Sequence, residues 1–364
     1  MKKMEIKLKH ISYPIHIEKG LFQRAGDLIY KLFTGRKFII ITDGNVEQIY
    51  GHELLKQLRD LKAEAAVYQF PAGEQSKSHY ELIRLYYYLA ESNMTRKDVI
   101  IALGGGVTGD LAGYAASTWL RGTRFIQIPT SLLAMVDSGI GGKVAVNISA
   151  GKNLVGSFYH PKCVLIDPLL LKTLPDRHFN DGMAEVIKYG CIADECLFKL
   201  LESMKSREAV MEQIEEIVFR CCDIKRNIVE EDERENNLRM ILNFGHTFGH
   251  AIEKLFNYEK YTHGEAVSIG MVFIAGLSQK LGYCDGKLPE RIVSLLKQFG
   301  LPVDFPELEG KQVVNSVLMD KKARTSDISL VLIKDFGKVC IESFPKSMMG
   351  GFVDAELNNK AILP

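Results

Sequence analysis

Residues 98–113, DVIIALGGGVTGDLAG, decide how the chain is read. Val99–Leu103 is a short, uninterrupted apolar run, the signature of a strand buried on both faces. Three glycines stop it, and a helix-compatible stretch follows at once. That step from strand to helix is the punctuation of a doubly covered, largely parallel sheet. Gly104, Gly106 and Gly109 satisfy GxGxxG, a setting in which N–H groups at a helix start cradle a pyrophosphate. The acid expected about twenty residues further on is missing, since Asp137 lies too far away. Instead Asp43 closes an earlier run, IIITDGNV, where a carboxylate can accept from ribose hydroxyls. Taken alone, a triple-glycine turn is more often only a tight strand–helix connection than a nucleotide site.

Working outward, KFIIITD (37–43), AAVYQF (65–70), RFIQIP (124–129) and CVLID (163–167) read as further strands. The intervening NVEQIYGHELLKQLRDL and SHYELIRLYYYLAES carry apolar residues at three- and four-residue spacing, as amphipathic helices do. After about Asp176 the helical period takes over, apart from SLVLIKDFGKVCIES (329–343), which reads as a β-hairpin around DFGK. The expected organisation is an α/β domain with a mainly parallel, Rossmann-like sheet over 1–175. A mainly α-helical domain follows over 176–364.

The bulk numbers set limits. With 46 Lys+Arg against 45 Asp+Glu, the net charge is +1, which gives no reason to expect nucleic acid or a membrane surface as partner. The opening MKKMEIKLKHISYPIHIEKG has no apolar core segment and no small-residue cleavage site, so no signal peptide is expected. The run AVSIGMVFIAGL is too short to span a bilayer and reads as a buried helix. Seven cysteines without CxxC pairing indicate reduced thiols in a cytoplasmic protein.

Two more loops suit anions. AGEQSKS (72–78) is one. The other, PTSLLAMVDSGIGGKVAVNISAGKNLVGSFYHP (129–161), is rich in Gly and Ser and carries Lys143 and Lys152; it reads as a loop. Cationic residues recur at Arg121, Lys225, Arg239, Lys321, Lys322 and Arg324. Each alone reads as a solvated charge, while together they suit a multiply anionic small molecule.

LNFGHTFGHAIEKLFNYEKYTHGEAVSIGM (242–271) holds His246, His250 and His263. Catalytic zinc takes three N or O ligands and leaves a position open. His246 and His250, four apart, share a helix face. HTFGH is not HExxH, so a metalloprotease reading lacks its base. Glu185 and Lys188 in DGMAEVIKYG, three apart, read most simply as a surface pair.

Taken in order, TDGNV, AGEQSKS, LGGGVTGDLAGYAASTWLRG, IPTSLLAMVDSGIGGK, GKNLVGSFYHP, GMAEVIKYG, DERENNLRMILNFGHTFGHAIE, THGEAVSIGM and DKKA closely resemble the 3-dehydroquinate synthase family. The resemblance covers most of the chain. It implies an NAD-binding α/β domain, a helical domain, one divalent metal (usually zinc, with cobalt an alternative) and a homodimer. The metal falls on Glu185, His246 and His263, leaving His250 to the substrate. NAD falls on Asp43, Asn45, Gly73, Glu74, Gln75, Lys77, Gly106, Val107, Thr108, Gly109, Asp110, Thr130 and Ser131. Lys143, Lys152 and the segment Leu170, Leu171, Lys172 and Thr173 lie nearby. The sugar phosphate substrate falls on Asp137, Lys143, Lys152, Asn153, Lys188, Lys225, Arg239, Asn243, His250 and Lys322, with Arg121 reaching a neighbouring subunit's site.

The implied reaction converts 3-deoxy-D-arabino-heptulosonate 7-phosphate to 3-dehydroquinate and phosphate, a step of the shikimate pathway. Transient oxidation by NAD is followed by phosphate elimination, re-reduction, ring opening and aldol closure. Departures from the family pattern are Ser131, Met135, Gly139 and Ile140, and the missing glycine after DKK.

Overall fold

The apolar runs of the first half pair as the sequence predicts, in a computed structural model that describes residues 1–235, 237–320 and 326–357. The strands are β1 (Lys2–Lys7), β2 (Ser12–Ile17), β3 (Phe38–Asp43), β4 (Ala65–Phe70), β5 (Val99–Gly104), β6 (Arg124–Pro129), β7 (Lys143–Ile148), β8 (Gly151–Phe158) and β9 (Val164–Ile166). Seven of them form one sheet in the order β1-β2-β9-β6-β5-β3-β4. Only β1 and β2 pair antiparallel; the rest run parallel. All six residues of β5 are buried, as expected of a strand covered on both faces.

Helices α1 (His79–Glu91) and α2 (Gly106–Thr118) belong to this sheet's layers. Leu82, Leu85 and Leu89 recur along α1 and pack with Ile39, Ile41, Ile100 and Leu111 in one core. Burying each such side chain contributes roughly 1.5–3 kcal/mol.

The chain runs from β3 outward to β4 and then returns to β5 on the other side of β3. The carboxyl ends of β3 and β5, where the strand order reverses, are where open α/β sheets bind ligands. Asp43 ends β3 and Gly104 ends β5, so strand adjacency supplies the proximity that linear spacing lacked.

The sequence reading of 129–161 as a loop is corrected. Within it, β7 and β8 form a separate antiparallel hairpin. Its alternation is hard to see, because Leu154, Val155 and Phe158 are exposed and β8 has no buried face.

The compact units of the fold are not contiguous along the sequence. One compact unit comprises Met1–Phe179 together with Ile214–Glu233, and the other Asn180–Gln213 with Arg234–Pro364. After α3 (Asp176–Ile192), helix α4 (Ile214–Glu231) is helical in period, as expected, but belongs with the sheet. Its glutamates hold the N-terminal hairpin. Glu230 accepts from the Lys7 N–H at 2.6 Å and Glu215 from the Lys19 N–H at 2.6 Å.

In the second unit α5 (His246–Leu255) lies against α6 (His263–Lys280). Gly270 permits this approach, since a Cβ there would stand 2.0 Å from the Gly245 carbonyl oxygen. Phe248 and Phe273 stack across the pair, ring centres 3.9 Å apart. Helix α6 is buried nearly all round, as its apolar run predicts. Strands β10 (Asp327–Asp335) and β11 (Lys338–Pro345) form the expected hairpin. No described helix is long and apolar enough to cross a membrane, and all seven cysteines are free.

Candidate functional site

In the first unit, the turn after β5 and the loop 73–77 converge on one ion pair. Lys77, buried, places its Nζ 2.5 Å from an oxygen of Asp110 in the first turns of α2, and also donates to Asn153 Oδ1 on β8. Asn147 of β7 donates to Glu74 at 2.7 Å, and Lys152 stands 3.8 Å from the same carboxylate. The hairpin missed in the sequence is therefore what brings Lys152 and Asn153 to loop 73–77. Asn147 is part of this network and was not singled out; its place in an apparent loop hid it.

Around the glycine turn, a Cβ on Gly104 would fall 2.3 Å from Thr108 Oγ1, and one on Gly106 3.0 Å from Ser138 Oγ. Thr130 closes the floor, its N–H donating to the Gly104 carbonyl at 3.0 Å. Ser131 accepts from the Ala134 N–H at 3.3 Å. Asp43 accepts from the N–H groups of Asn45 and Val46, so its carboxylate caps the next turn. Val107 and Gly109 lie within α2, Gln75 is exposed on its loop, and Gly73 turns that loop at φ +113°. Leu170, Leu171, Lys172 and Thr173 form a turn that Tyr50 ties down, its hydroxyl 3.2 Å from the Leu170 carbonyl and 2.8 Å from Thr173 Oγ1.

Lys225 on α4 is buried and donates to Asp137, at 2.8 Å to Oδ1 and 2.7 Å to its carbonyl. Lys143 is exposed at the start of β7, and Arg121 is exposed with its backbone in the left-handed region at φ +65°. The reading of Lys225 and Arg239 as solvated charges is corrected: they are 5% and 2% exposed.

In the second unit a buried acid meets two imidazoles. Glu185 on α3 has no exposed surface, and Oε1 lies 3.4 Å from His246 Nε2 and 3.6 Å from His263 Nε2. The outward nitrogens are also engaged. His246 Nδ1 sits 3.2 Å from the Phe244 carbonyl, and His263 Nδ1 sits 3.4 Å from Glu253 Oε2. Lys188, paired with Glu185 one turn away, is likewise buried rather than on the surface as the spacing suggested. Glu185, His246 and His263 can each offer one ligand atom, all within 4.8 Å of one another; His250, Glu253 and His263 form a second such group. His246 and His250, the pair suggested by spacing, thus fall into different groups, with ring centres 5.4 Å apart.

Burial and the neighbouring Lys188 push His246 down to about 3, leaving its ring neutral. Burial pulls His263 down too, but hydrogen bonds to Glu185 and Glu253 and their charges raise it well above the ordinary 6.5. Asn243 donates to Glu235 at 2.7 Å, and Arg239 is buried in the turn preceding α5. Glu253 escaped the sequence reading although it lies at helical spacing from both histidines of α5. Lys322 lies outside the described residues.

Solved structures share this fold at 97% coverage of the chain. One is 2-deoxy-scyllo-inosose synthase with carbaglucose-6-phosphate, NAD+ and Co2+ (TM-score 0.87, 26% identity, 99% of that chain). Another is 2-epi-5-epi-valiolone synthase from Streptomyces hygroscopicus subsp. jinggangensis 5008 with NAD+ and Zn2+ (TM-score 0.87, 27% identity, 98% of that chain). The architecture is that of the sugar phosphate cyclases, a class of enzymes.

Within it, the family models "3-dehydroquinate synthase N-terminal" and "3-dehydroquinate synthase C-terminal" match residues 67–181 and 182–323. The 3-dehydroquinate synthase of Clostridium acetobutylicum is 49% identical over 342 residues, 94% of this chain and 96% of the relative. The chain belongs to the 3-dehydroquinate synthase family.

Proposed function

We propose that the chain converts 3-deoxy-D-arabino-heptulosonate 7-phosphate to 3-dehydroquinate and phosphate, using NAD and one divalent metal. The observation that carries the reading is the convergence of Glu185, His246 and His263 in a chain of this family. One carboxylate and two imidazoles are a donor set that suits zinc or cobalt and leaves a coordination position open. Both histidines present Nε2 to Glu185 and engage Nδ1 elsewhere, as orienting partners do around metal-ligating histidines.

Bound NAD supplies a hydride acceptor that is regenerated within the cycle, and a bound divalent ion supplies Lewis acidity. The chain's residues supply binding, orientation and proton handling. In the first unit, Asp43, Asn45, the loop 73–77, Gly106–Asp110, Thr130, Ser131, Lys143, Lys152 and the turn 170–173 are assigned to the nucleotide. Its position outside the carboxyl ends of β3 and β5 favours that assignment. Asp137, Lys143, Lys152, Asn153 and Lys225 of the same unit are assigned to the substrate. In the second unit Lys188, Arg239 and Asn243 are assigned to substrate oxygens, and His250, a turn from His246, to proton transfer. Lys322 and Arg121 complete the assignment, Arg121 toward a second copy in a homodimer. The buried cations Lys188, Lys225 and Arg239 suit a substrate carrying a carboxylate and a phosphate. A cytoplasmic location fits seven free thiols.

The test is phosphate release from the heptulosonate phosphate with trace NAD, before and after chelation. Release far beyond the NAD present, abolished by chelator and restored by zinc, with 3-dehydroquinate as product, is expected. Build-up of NADH in step with substrate loss would instead mark a simple dehydrogenase.

A further inference from the structure

His263 stands between two carboxylates. Its Nε2 is 3.6 Å from Glu185 Oε1 and its Nδ1 is 3.4 Å from Glu253 Oε2. A neutral imidazole carries one proton, and a carboxylate can only accept. In the neutral ring that a metal requires, a hydrogen bond to Glu253 therefore puts the proton on Nδ1 and leaves the Nε2 lone pair on the side of Glu185 and His246. His246 reaches the same state with the Phe244 carbonyl as acceptor.

Glu253 is 5% exposed, and a buried carboxylate needs such a donor. The start of α6 is held independently: the Gly264 N–H donates to Asp181 Oδ1 at 2.5 Å, and Thr262 and Glu265 form a capping box. With the backbone of His263 fixed, ring orientation and tautomer remain to be set, and Glu253 is the group on its outward nitrogen.

We propose that Glu253 is a positioning residue: by accepting from His263 Nδ1 it fixes the tautomer and ring orientation that let Nε2 hold the metal. This rests on the metal reading above. The neighbouring group His250, Glu253 and His263 competes for the same ring, because an ion there takes Nδ1 and displaces the proton. Glu253 serves as hydrogen-bond acceptor to one site or as ligand to the other, and the proposal commits to the first.

The test titrates Co2+ into the metal-free full chain, reading visible absorption and affinity by chelator competition. It compares wild type, Glu253→Gln, Glu253→Ala and Glu185→Gln. Loss of an orienting partner lowers metal affinity about 10–100-fold, so Glu253→Ala is expected in that range. Glu253→Gln should retain more, since its amide oxygen still accepts from Nδ1–H. Both should keep the wild-type Co2+ band positions, whereas Glu185→Gln should shift them through loss of a ligand. Should Glu253→Ala fail to fold, Glu253→Gln carries the comparison.

Unchanged affinity in the folded Glu253 variants overturns the proposal and leaves Glu253 a core-filling acid. A shift of the Co2+ bands in both variants overturns it differently, making Glu253 a ligand. Wild-type protein that takes up no Co2+ removes the metal reading itself.

Discussion

Lys225 and Asp137 form a part-buried contact in which one ammonium serves two oxygens of the same residue, at 2.8 Å and 2.7 Å. The carbonyl interaction braces the turn Ala134–Ser138, while the carboxylate offsets the burial of the charge. Breaking a buried pair from one side costs about 3–5 kcal/mol. Because the Asp137 carboxylate left behind keeps contact with water, Lys225→Met is expected to lower stability by less than that and to raise KM for the anionic substrate. A lower melting temperature with unchanged KM and kcat would leave Lys225 a purely structural brace.

The Lys77–Asp110 pair gives a second expectation. Lys77 is assigned to the nucleotide as well as paired with Asp110, and losing one hydrogen bond from it to a charged group of NAD would cost about 1.5–3 kcal/mol, so Lys77→Ala should weaken NAD roughly tenfold or more. Zinc content should remain at the wild-type level, because Lys77 belongs to the other compact unit from Glu185, His246 and His263. Calorimetric NAD titration alongside metal analysis decides it; equal NAD affinity in the variant would withdraw the loop 73–77 from the nucleotide site.

What could be read in the sequence was local. The β5 strand and the Gly104 turn show themselves in sixteen residues, because apolar runs and glycine stops act over short range. The site needed longer-range information. A three-residue spacing puts Glu185 and Lys188 on one face but does not say whether that face meets water or core. For α4, periodicity gave a helix and no partner; its place beside the sheet depends on pairings such as Glu230 with Lys7, more than two hundred positions apart. Glu253 was within reach at i+3 from His250, yet one acid on a helix ordinarily reads as solvated.

The glycine turn predicts a coupling. Gly104→Ala places a methyl 2.3 Å from Thr108 Oγ1, so the variant must shift the turn, at a cost of about 1–3 kcal/mol. An alanine at 108 would keep its Cβ 2.6 Å from the new methyl, so Thr108→Gly is the relieving change, and Gly104→Ala should cost less in that background than in wild type. Denaturant unfolding of the cycle measures this. Strict additivity would mean the glycine is required for some other reason.

Thiol reactivity follows burial. Burial pushes Cys163 up to about 12 and raises Cys191 and Cys222 as well, while Cys196 is exposed. A raised value keeps the unreactive thiol at pH 8, roughly the ordinary cysteine range. In folded protein, alkylation should reach Cys196 first and spare Cys163, Cys191 and Cys222; in denaturant all seven should react. Mass spectrometry of labelled peptides reads the order, and labelling of Cys163 as fast as Cys196 would contradict the buried core described for it.

Metal uptake should release a proton, and its source can be named. His246, held near 3 by burial and Lys188, is already neutral at pH 7 and has nothing to release. His263 differs. Burial works against its charge, but Glu185 and Glu253 raise it well above 6.5, so the metal-free chain keeps it protonated near neutrality. A raised folded value stabilises the metal-free fold fully below the unfolded pKa of 6.5, and this stabilisation is lost as pH rises through the folded value. An ion binds only the neutral ring, so zinc must displace that proton. Titrations in two buffers of different ionisation enthalpy should give about one proton per ion at pH 7. Affinity should rise roughly tenfold per pH unit until His263 titrates. Two protons would mean His246 is also charged in the metal-free chain. PH-independent affinity with none released would mean that Glu185 and Glu253 do not hold His263 in its protonated form.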